Sequence, residues 1–277
     1  MVQKLKLTEE YKKIDEESIK KAFEKVILKK DKVIILYSGV WSFINRLKFK
    51  KDIGEKILKI IEEVVTKKRT LILPSFSAES FLKSKKFDLK KTIDKKNGLI
   101  SNAALKKNYY RTSQPLHSYL VFGKKVNEVK KLKLLTSWGS TSLLEWLSKN
   151  NARICVLGIP WNKGCSYLHR YEELYQVPWR YYKIYKGVMI KNGKKKTCYE
   201  KKYSSPENGV LQYDFSPFIR FLKKKRIFLD ARSDFFLEST TTSQIDQLSK
   251  KFNKQNKFWK IVKNKKEVKN WIKKNSL

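Results

Sequence analysis

The chain has 277 residues and a formal net charge of +38, from 64 basic and 26 acidic side chains. Because 41% of its residues are hydrophobic and 13% are aromatic, it can bury a substantial core, which excludes a wholly disordered chain. Its 10 Gly and 6 Pro exclude a collagen-like or low-complexity chain.

Helices and short apolar strands alternate along the first part of the chain. Amphipathic spacing predicts the helices, and short β-branched apolar runs predict buried strands. In chain order, these elements are a helix over 16–28, a strand over 33–38, a helix over 53–65, a strand over 70–75, a helix over 142–150 and a strand over 153–159. The strand, helix and strand between residues 33 and 75 form a βαβ unit, which implies parallel, buried strands.

A different pattern begins near residue 177. Aromatic, strand-like segments at 179–185 and 198–203 flank Asn192-Gly193, a dipeptide typical of hairpin turns. A basic helical tail follows over 242–274.

These elements predict an α/β fold with a mixed or largely parallel central sheet flanked by helices, and with a smaller, aromatic, β-rich C-terminal part. No linker rich in Pro, Gly or Ser divides the chain. We therefore expect residues 1–277 to form one domain, with a core over about 30–175 and a more divergent part over about 176–277.

Cysteine content and hydropathy bear on the location of the protein. Cys155, Cys165 and Cys198 are odd in number and have no CxxC spacing, so they predict neither a disulfide framework nor a structural zinc site. The N-terminal segment is charged and lacks an apolar signal core, and no apolar run approaches the ~20 residues that span a bilayer. We expect a cytoplasmic protein that does not bind membranes.

The basic charge has two interpretations. Only nine of the 64 basic residues are Arg, the residue favoured for base edges and bidentate phosphate contacts, and the lysines are spread along the whole chain. This distribution favours a drift in composition over a binding stripe. We expect nucleic acid to bind only non-specifically at low salt, and a nucleic-acid-binding protein remains an alternative function.

The two histidines are the most informative candidates for chemistry. His117 lies in a polar segment before a strand-like run, and His169 follows the strand at 153–159. If the segment from Ser166 is helical, Glu172 shares a helix face with His169, and a carboxylate beside an imidazole suits removal of a proton from an amine or hydroxyl. A surface histidine with a chance Glu neighbour is the simpler alternative.

Other chemistries have weaker signals. A His/His/carboxylate metal site requires His117 and His169 to converge, and we expect no metal. Cys165 stands only four residues before His169, so a buried, incidental thiol is a better interpretation than a nucleophile. GxGxxG, P-loop and GxSxG motifs do not occur in the sequence.

Seven segments in a common order point to a family. They are 33-VIILYSGVWSF-43, 71-LILPSFS-77, 98-GLISNAAL-105, 111-RTSQPLHS-118, 138-WGSTSLLEWL-147, 155-CVLGI-159 and 166-SYLHRYEE-173. In order and spacing they resemble the aminoglycoside 3-N-acetyltransferase family, over roughly residues 30 to 175. The resemblance implies an acetyltransferase that uses acetyl-CoA as co-substrate and a histidine as general base.

The resemblance also implies roles for individual residues. His169 matches the family's catalytic base, and Glu172 matches the acid three residues later. Asp214 matches an acidic position on the substrate side. Apart from the resemblance, Glu173 is a further candidate for substrate binding, as an acid that could be concentrated near a cationic acceptor. The residues matched to the coenzyme A side are Ser38, Ser75, Arg111, His117 and Ser118.

The acceptor implied by the resemblance is an amino group of an amino sugar, acetylated by direct transfer without a cysteine nucleophile. Because a chain at +38 is a poor host for a polycation, we favour a neutral or anionic amino sugar of a biosynthetic pathway, such as surface polysaccharide synthesis. Aminoglycoside resistance is the alternative acceptor interpretation, and a metal-dependent hydrolase is a third alternative.

Overall fold

The computed structural model describes residues 12–94, 98–107, 109–206, 209–254 and 257–275. Its helices are α1 Glu16–Val26, α2 Ile53–Val65, α3 Ala78–Ser84, α4 Leu99–Lys106, α5 Val126–Lys130, α6 Leu143–Lys149, α7 Trp161–Gly164, α8 His169–Leu174, α9 Ser216–Lys224, α10 Thr242–Lys254 and α11 Lys265–Lys274. Its strands are β1 Val33–Ser38, β2 Thr70–Pro74, β3 Lys86–Asp88, β4 Tyr110–Arg111, β5 Tyr119–Gly123, β6 Arg153–Leu157, β7 Tyr181–Lys191, β8 Lys194–Ser204, β9 Leu229–Asp230 and β10 Leu237–Thr241.

A seven-stranded mixed sheet forms the centre of the molecule, in the order β4-β5-β2-β1-β6-β10-β9. The three central strands β2, β1 and β6 are parallel, and the strands outside them pair antiparallel. This arrangement confirms the α/β fold with a mixed central sheet. The βαβ unit is also confirmed, because β1 and α2 have the predicted bounds and β2 pairs parallel with β1.

Both faces of the central sheet are buried. Along β1, Ile34 and Leu36 pack in a cluster with α1, α2 and α4, whereas Val33, Ile35 and Tyr37 pack in the cluster on the opposite face. That second cluster includes α6, α8, α9 and α10. A strand that is covered on both faces needs an uninterrupted apolar run, which is why 33-VIILYS-38 shows no polar alternation.

The predicted hairpin is present and longer than predicted. Strands β7 and β8 pair antiparallel over eleven residues each, and the turn residues Asn192 and Gly193 have φ of 49° and 77°. Positive φ at both central positions is what a tight hairpin turn requires. Strand β3 joins β7 in parallel to complete a separate three-stranded sheet.

The C-terminal part combines the β7–β8 hairpin with further strands and helices. After the hairpin it contributes β9 and β10 to the central sheet, where β10 pairs with β6, and the rest of this part is mainly helical. The basic tail is not one helix but consists of α10, a 3-10 helix at Lys257–Ile261 and α11. Within the described ranges, no helix is long and apolar enough to cross a membrane.

Candidate active site

The carboxyl ends of β1, β2 and β6 lie at the same edge of the sheet, where ligands of such folds bind. Ser38 ends β1 and lies beside Gly98 at the start of α4, where a Cβ would be 3.5 Å from the Ser38 carbonyl oxygen. Gly158 follows β6 with φ of +67°. The chain after β6 then leads through α7 to α8, which carries the predicted histidine.

His169 and Glu172 form the pair that their spacing predicted. The two residues lie in the first turn of α8, with 2.7 Å between His169 Nδ1 and Glu172 Oε2. The Glu172 side chain is fully buried, and 21% of the His169 side chain is exposed. Because an ionised carboxylate only accepts hydrogen bonds, Nδ1 donates to it, and the lone pair of Nε2 remains to take a proton.

Glu172 is held by two further residues from the segment after α8. Arg180 Nε lies 2.8 Å from Glu172 Oε1, and the indole N–H of Trp179 donates to the same oxygen at 3.2 Å. Burial alone raises the pKa of Glu172, but the charge of Arg180 and the hydrogen bond to His169 outweigh it and hold the pKa at about 2. The carboxylate is therefore ionised at neutral pH.

Arg180 was not among the site residues predicted from the sequence. The segment 179-WRYYKIY-185 reads as the start of a strand, and nothing in its periodicity shows that Arg180 turns back toward α8. The only available signal was an Arg among aromatic residues in a Lys-rich chain.

Aromatic rings surround the imidazole of His169. The rings of Trp138, Phe215 and Tyr213 lie 5.5, 5.3 and 5.7 Å from it, between ring centroids. Burial in this setting lowers the pKa of His169, although the Glu172 carboxylate acts in the opposite direction. A neutral imidazole at neutral pH is the form that can act as a base.

A second histidine–carboxylate pair lies on the other side of Trp138. His117 Nδ1 lies 3.1 Å from Glu200 Oε1 on β8, and Ser137 donates to the same oxygen at 2.6 Å. The His117 and Trp138 rings are 4.2 Å apart. Burial lowers the pKa of His117 to about 4, against the opposing effect of Glu200. Glu200 was not among the predicted site residues, since a lone Glu in a strand carries no local signal.

The two imidazoles thus approach the same ring but do not share a carboxylate. Trp138 contacts both His117 and His169, and each histidine has its own glutamate. In the part of the chain that the structure describes, no group of three or more His, Cys, Asp and Glu side chains could hold a metal ion.

Three of the residues matched to the coenzyme A side hydrogen-bond to one another. Arg111 Nε donates to Ser118 Oγ at 3.0 Å and its Nη2 donates to the Ser75 carbonyl at 2.8 Å, while Ser118 Oγ donates to that carbonyl at 2.5 Å. All three are buried. This network links the end of β2 to the start of β5. These side chains therefore support the sheet edge from the protein interior.

Ser38 differs from them. It is half-buried at the end of β1, and a Cβ on Gly98 would lie 3.6 Å from its hydroxyl oxygen. Of the serines matched to the coenzyme A side, Ser38 is the one that is not fully buried, so it is the one that can contact a ligand.

The two predicted acidic residues lie on different elements. Glu173 is buried on α8, next to Glu172, and lines a cavity. Asp214 Oδ1 accepts from Asn162 Nδ2 and from the backbone and side chain of Ser216, the first residue of α9. The hydrogen bond from Asn162 is the main reason why the pKa of Asp214 falls to about 2.

Cys165 lies buried in the same core cluster as the residues of α8. Burial raises the pKa of its thiol, which is the reverse of what a nucleophilic cysteine requires.

A sequence model described as aminoglycoside 3-N-acetyltransferase matches residues 41–265 of the chain. No curated protein sequence matches significantly.

Several solved structures share the fold. Aminoglycoside acetyltransferase AAC(3)-Xa is 14% identical with a TM-score of 0.71, over 85% of this chain and 91% of that one. YokD protein from Bacillus subtilis is 16% identical with a TM-score of 0.68, over 89% and 93%. AAC-IIIb, solved with CoASH, is 15% identical with a TM-score of 0.72, over 88% and 97%.

Proposed function

The chain belongs to the aminoglycoside 3-N-acetyltransferase family, and on that premise we propose that it transfers the acetyl group of acetyl-CoA to an amino group of an aminoglycoside. Family membership makes the chain an acetyltransferase with acetyl-CoA as co-substrate. The pair formed by His169 and Glu172 is the observation that carries the mechanism.

The comparisons favour the aminoglycoside acceptor over the biosynthetic amino sugar that the net charge suggested. Two similar structures contain an acceptor, a gentamicin in AAC(3)-IVa and sisomicin in AAC-VIa. Net charge was a misleading guide to the acceptor because it sums the whole surface, whereas an acceptor meets only the charges that line its own site.

In the proposed reaction, Nε2 of His169 takes a proton from the acceptor ammonium, and the resulting amine attacks the thioester carbonyl of acetyl-CoA. A C–N bond forms and the C–S bond breaks. The proton that the adduct nitrogen gives up goes to the departing thiolate, so coenzyme A leaves as the thiol, and the imidazolium of His169 then releases its proton to solvent. Glu172 keeps the proton of neutral His169 on Nδ1 and stabilises the imidazolium that forms during transfer. Arg180 keeps Glu172 ionised through this step.

Ser38 would contact the pantetheine arm of acetyl-CoA, because it is only half-buried and lies at the sheet edge beside the start of α4. The same hydroxyl could donate to the oxyanion of the tetrahedral intermediate. Ser75, Arg111 and Ser118 would maintain the shape of this site through their mutual hydrogen bonds. The His117 ring packs against Trp138, and through this contact His117 would support the wall of the site.

We further propose a cytoplasmic location for this enzyme. The three cysteines are free thiols, as expected in a reducing compartment, and the co-substrate is an intracellular metabolite.

The experiment is an acceptor panel. Release of coenzyme A thiol from acetyl-CoA would be measured with gentamicin, sisomicin and a nucleotide-linked amino sugar, and products would be examined by mass spectrometry. We expect the two aminoglycosides to gain one acetyl group each. Acetylation of the nucleotide-linked sugar alone would overturn the proposed acceptor and support the biosynthetic alternative.

A further inference from the structure

The hairpin formed by β7 and β8 has two faces of different character. Successive side chains of a strand point to opposite faces, and the pairing of the two strands continues this alternation across the hairpin. On one face, Tyr185, Met189 and Cys198 pack in a hydrophobic cluster with Phe81 and Phe87. This face is therefore covered by the rest of the molecule.

The opposite face is open, and we call it the outer face. From the level of Tyr182 to the hairpin turn it consists of Tyr182, Ile184, Lys186, Val188, Ile190, Lys195, Thr197, Tyr199 and Lys201. Nine large hydrophobic side chains are exposed among the described residues, and four of them lie on this face: Tyr182, Ile184, Val188 and Tyr199. Ile184 is 67% exposed and Tyr199 is 54% exposed. Apolar groups gathered on one exposed surface indicate an interaction site.

The charge of the outer face has one sign. Its charged residues are Lys186, Lys195 and Lys201, whereas Glu200, the single acid in the two strands, lies on the covered face and contacts His117. The pairing places Lys186 opposite Tyr199, and Lys195 opposite Ile190. Cations thus alternate with apolar and aromatic side chains, which fits a partner that carries both negative charges and flat apolar groups.

The lysines differ in how far they are engaged. Lys201 Nζ lies 3.8 Å from the centre of the Tyr182 ring, so these two side chains already contact each other. Among the described residues, Lys186 and Lys195 form no ion pair, and both are exposed. Lys186, Lys195 and Tyr199 are therefore the groups most available to a partner.

Charge and shape argue against two other occupants. A second copy of the chain packed on this face would bring two sets of lysines together without an acid between them, which is repulsive. Insertion into a membrane would require apolar side chains at the hairpin tip, but residues 191–196 are four lysines, Asn192 and Gly193.

Single-stranded nucleic acid has the chemistry that the outer face lacks. Its phosphates supply the negative charge, and its unpaired bases supply flat apolar surfaces that stack on aromatic rings of exposed sheets. Each strand of the hairpin has eleven residues, and at a rise of ~3.3 Å per residue the ribbon is about 35 Å long. This length can accommodate several nucleotides.

We propose that the outer face binds single-stranded nucleic acid without sequence preference, with a base stacked on Tyr199 and with phosphates held by Lys186 and Lys195. This activity goes beyond acetyl transfer and does not depend on it, because the outer face is opposite the face that carries Glu200. It also differs from the general attraction of polyanions to a chain at +38, since it depends on one surface and on an aromatic ring.

The test measures binding of a labelled oligothymidylate of about twelve nucleotides by fluorescence anisotropy, between about 50 and 200 mM salt. Tyr199→Thr keeps a residue that is favourable in a strand but removes the ring, and we expect the Kd to rise about tenfold, as for loss of one stacked base. The double variant Lys186→Gln, Lys195→Gln should reduce the slope of log K against log salt by about 0.7 for each phosphate contact that it removes.

Two matched controls separate the surface from the overall charge. Lys250→Gln, Lys251→Gln removes the same charge from exposed positions of α10 and should leave the salt slope unchanged. Trp41→Ser removes a ring that is 72% exposed outside the hairpin and should leave the Kd unchanged. Melting curves followed by circular dichroism would verify that each variant is folded.

Several results would overturn the proposal. A folded Tyr199→Thr variant with the wild-type Kd would exclude stacking, and an equal loss of salt slope in the α10 variant would reduce the binding to net charge. Equally tight binding of a duplex of the same length would show that unpaired bases are not recognised. Wild-type protein that ignores the oligonucleotide but binds phosphatidylserine vesicles, and loses this binding in the hairpin variants, would assign the outer face to a membrane. None of these results bears on acetyl transfer, so the proposed function stands or fails separately.

Discussion

Replacing Glu172 by Gln tests how the carboxylate supports the base. The side chain keeps its shape, and its amide oxygen can still accept the hydrogen bond from Nδ1 of His169. What disappears is a negative charge that lies beside the imidazole and 2.8 Å from Arg180 Nε. The substitution therefore separates the charge of Glu172 from its role in orienting the ring.

The expected loss of kcat in Glu172→Gln follows from the short distances between Glu172 and its neighbours. Two charges about 4 Å apart interact by about 4 kcal/mol at an effective dielectric constant of about 20. Loss of this interaction lowers the pKa of His169 further and weakens it as a base. Since a general base contributes a factor of about 10² to 10⁴, we expect kcat to fall about a hundredfold.

The assay is release of coenzyme A thiol under saturating acetyl-CoA and acceptor, between pH 5 and pH 9. Because the base acts only when neutral, and its pKa falls in the variant, the acidic limb of the kcat profile should move to lower pH. A folded Glu172→Gln enzyme with wild-type kcat and an unmoved acidic limb would refute this reasoning.

The stability of Glu172→Gln needs a control, because the substitution leaves the buried guanidinium of Arg180 without its carboxylate partner. Breaking a buried ion pair from one side destabilises a protein by about 3–5 kcal/mol. The double variant Glu172→Gln, Arg180→Met removes both charges and should recover most of this stability. We expect its kcat to stay low, which would separate the loss of catalysis from the loss of stability.

Three further predictions concern other parts of the molecule. Burial holds the pKa of His117 near 4, below its ordinary 6.5, so the unfolded chain binds the proton first as pH falls, and stability should decrease by about 3 kcal/mol between pH 6.5 and pH 4. Urea unfolding should show a smaller decrease for His117→Gln, and an equal decrease would contradict this assignment. Asp31→Asn breaks a buried, two-bonded pair with Arg153 and should lower the free energy of unfolding by about 3 kcal/mol without a change in kcat at low temperature, as measured by denaturant titration and thiol release. Cys165→Ala should keep kcat within about threefold, because direct transfer needs no thiolate, and complete loss of activity in a folded variant would indicate an acyl-cysteine intermediate.

Local sequence patterns were sufficient for the centre of the fold. The apolar run of β1, the helical spacing of α2 and the Asn192-Gly193 turn each depend on neighbours in the chain, and the structure places all three as predicted. The pairing of His169 with Glu172 was predictable for the same reason, since it depends only on one turn of helix.

Strand β10 shows where local patterns fail. Its sequence Leu237–Thr241 is mostly polar, yet every residue is buried between β6 and β9. Two of its polar side chains bond to groups distant in the chain: Ser239 donates to the carbonyl of Val26, and Glu238 accepts from the indole N–H of Trp161. A buried strand of this kind has no apolar run by which it could be recognised.

The supporting residues of the site could not be predicted for a related reason. Arg180, Glu200 and Trp138 come from three separate segments and meet the histidines only after the hairpin folds against the central sheet. Such contacts have no periodicity in the sequence. In consequence, the pairing of His169 with Glu172 was predicted, but the groups that set the pKa values of the two side chains were not.

The most direct test of the central claim is the rate of acetyl transfer to gentamicin by His169→Ala, measured as coenzyme A thiol release alongside the wild type. Circular dichroism would verify that the variant is folded. If His169 is the general base, kcat should fall at least about a hundredfold while the KM for acetyl-CoA changes little. A folded His169→Ala enzyme that transfers acetyl groups at the wild-type rate would show that another group takes the proton.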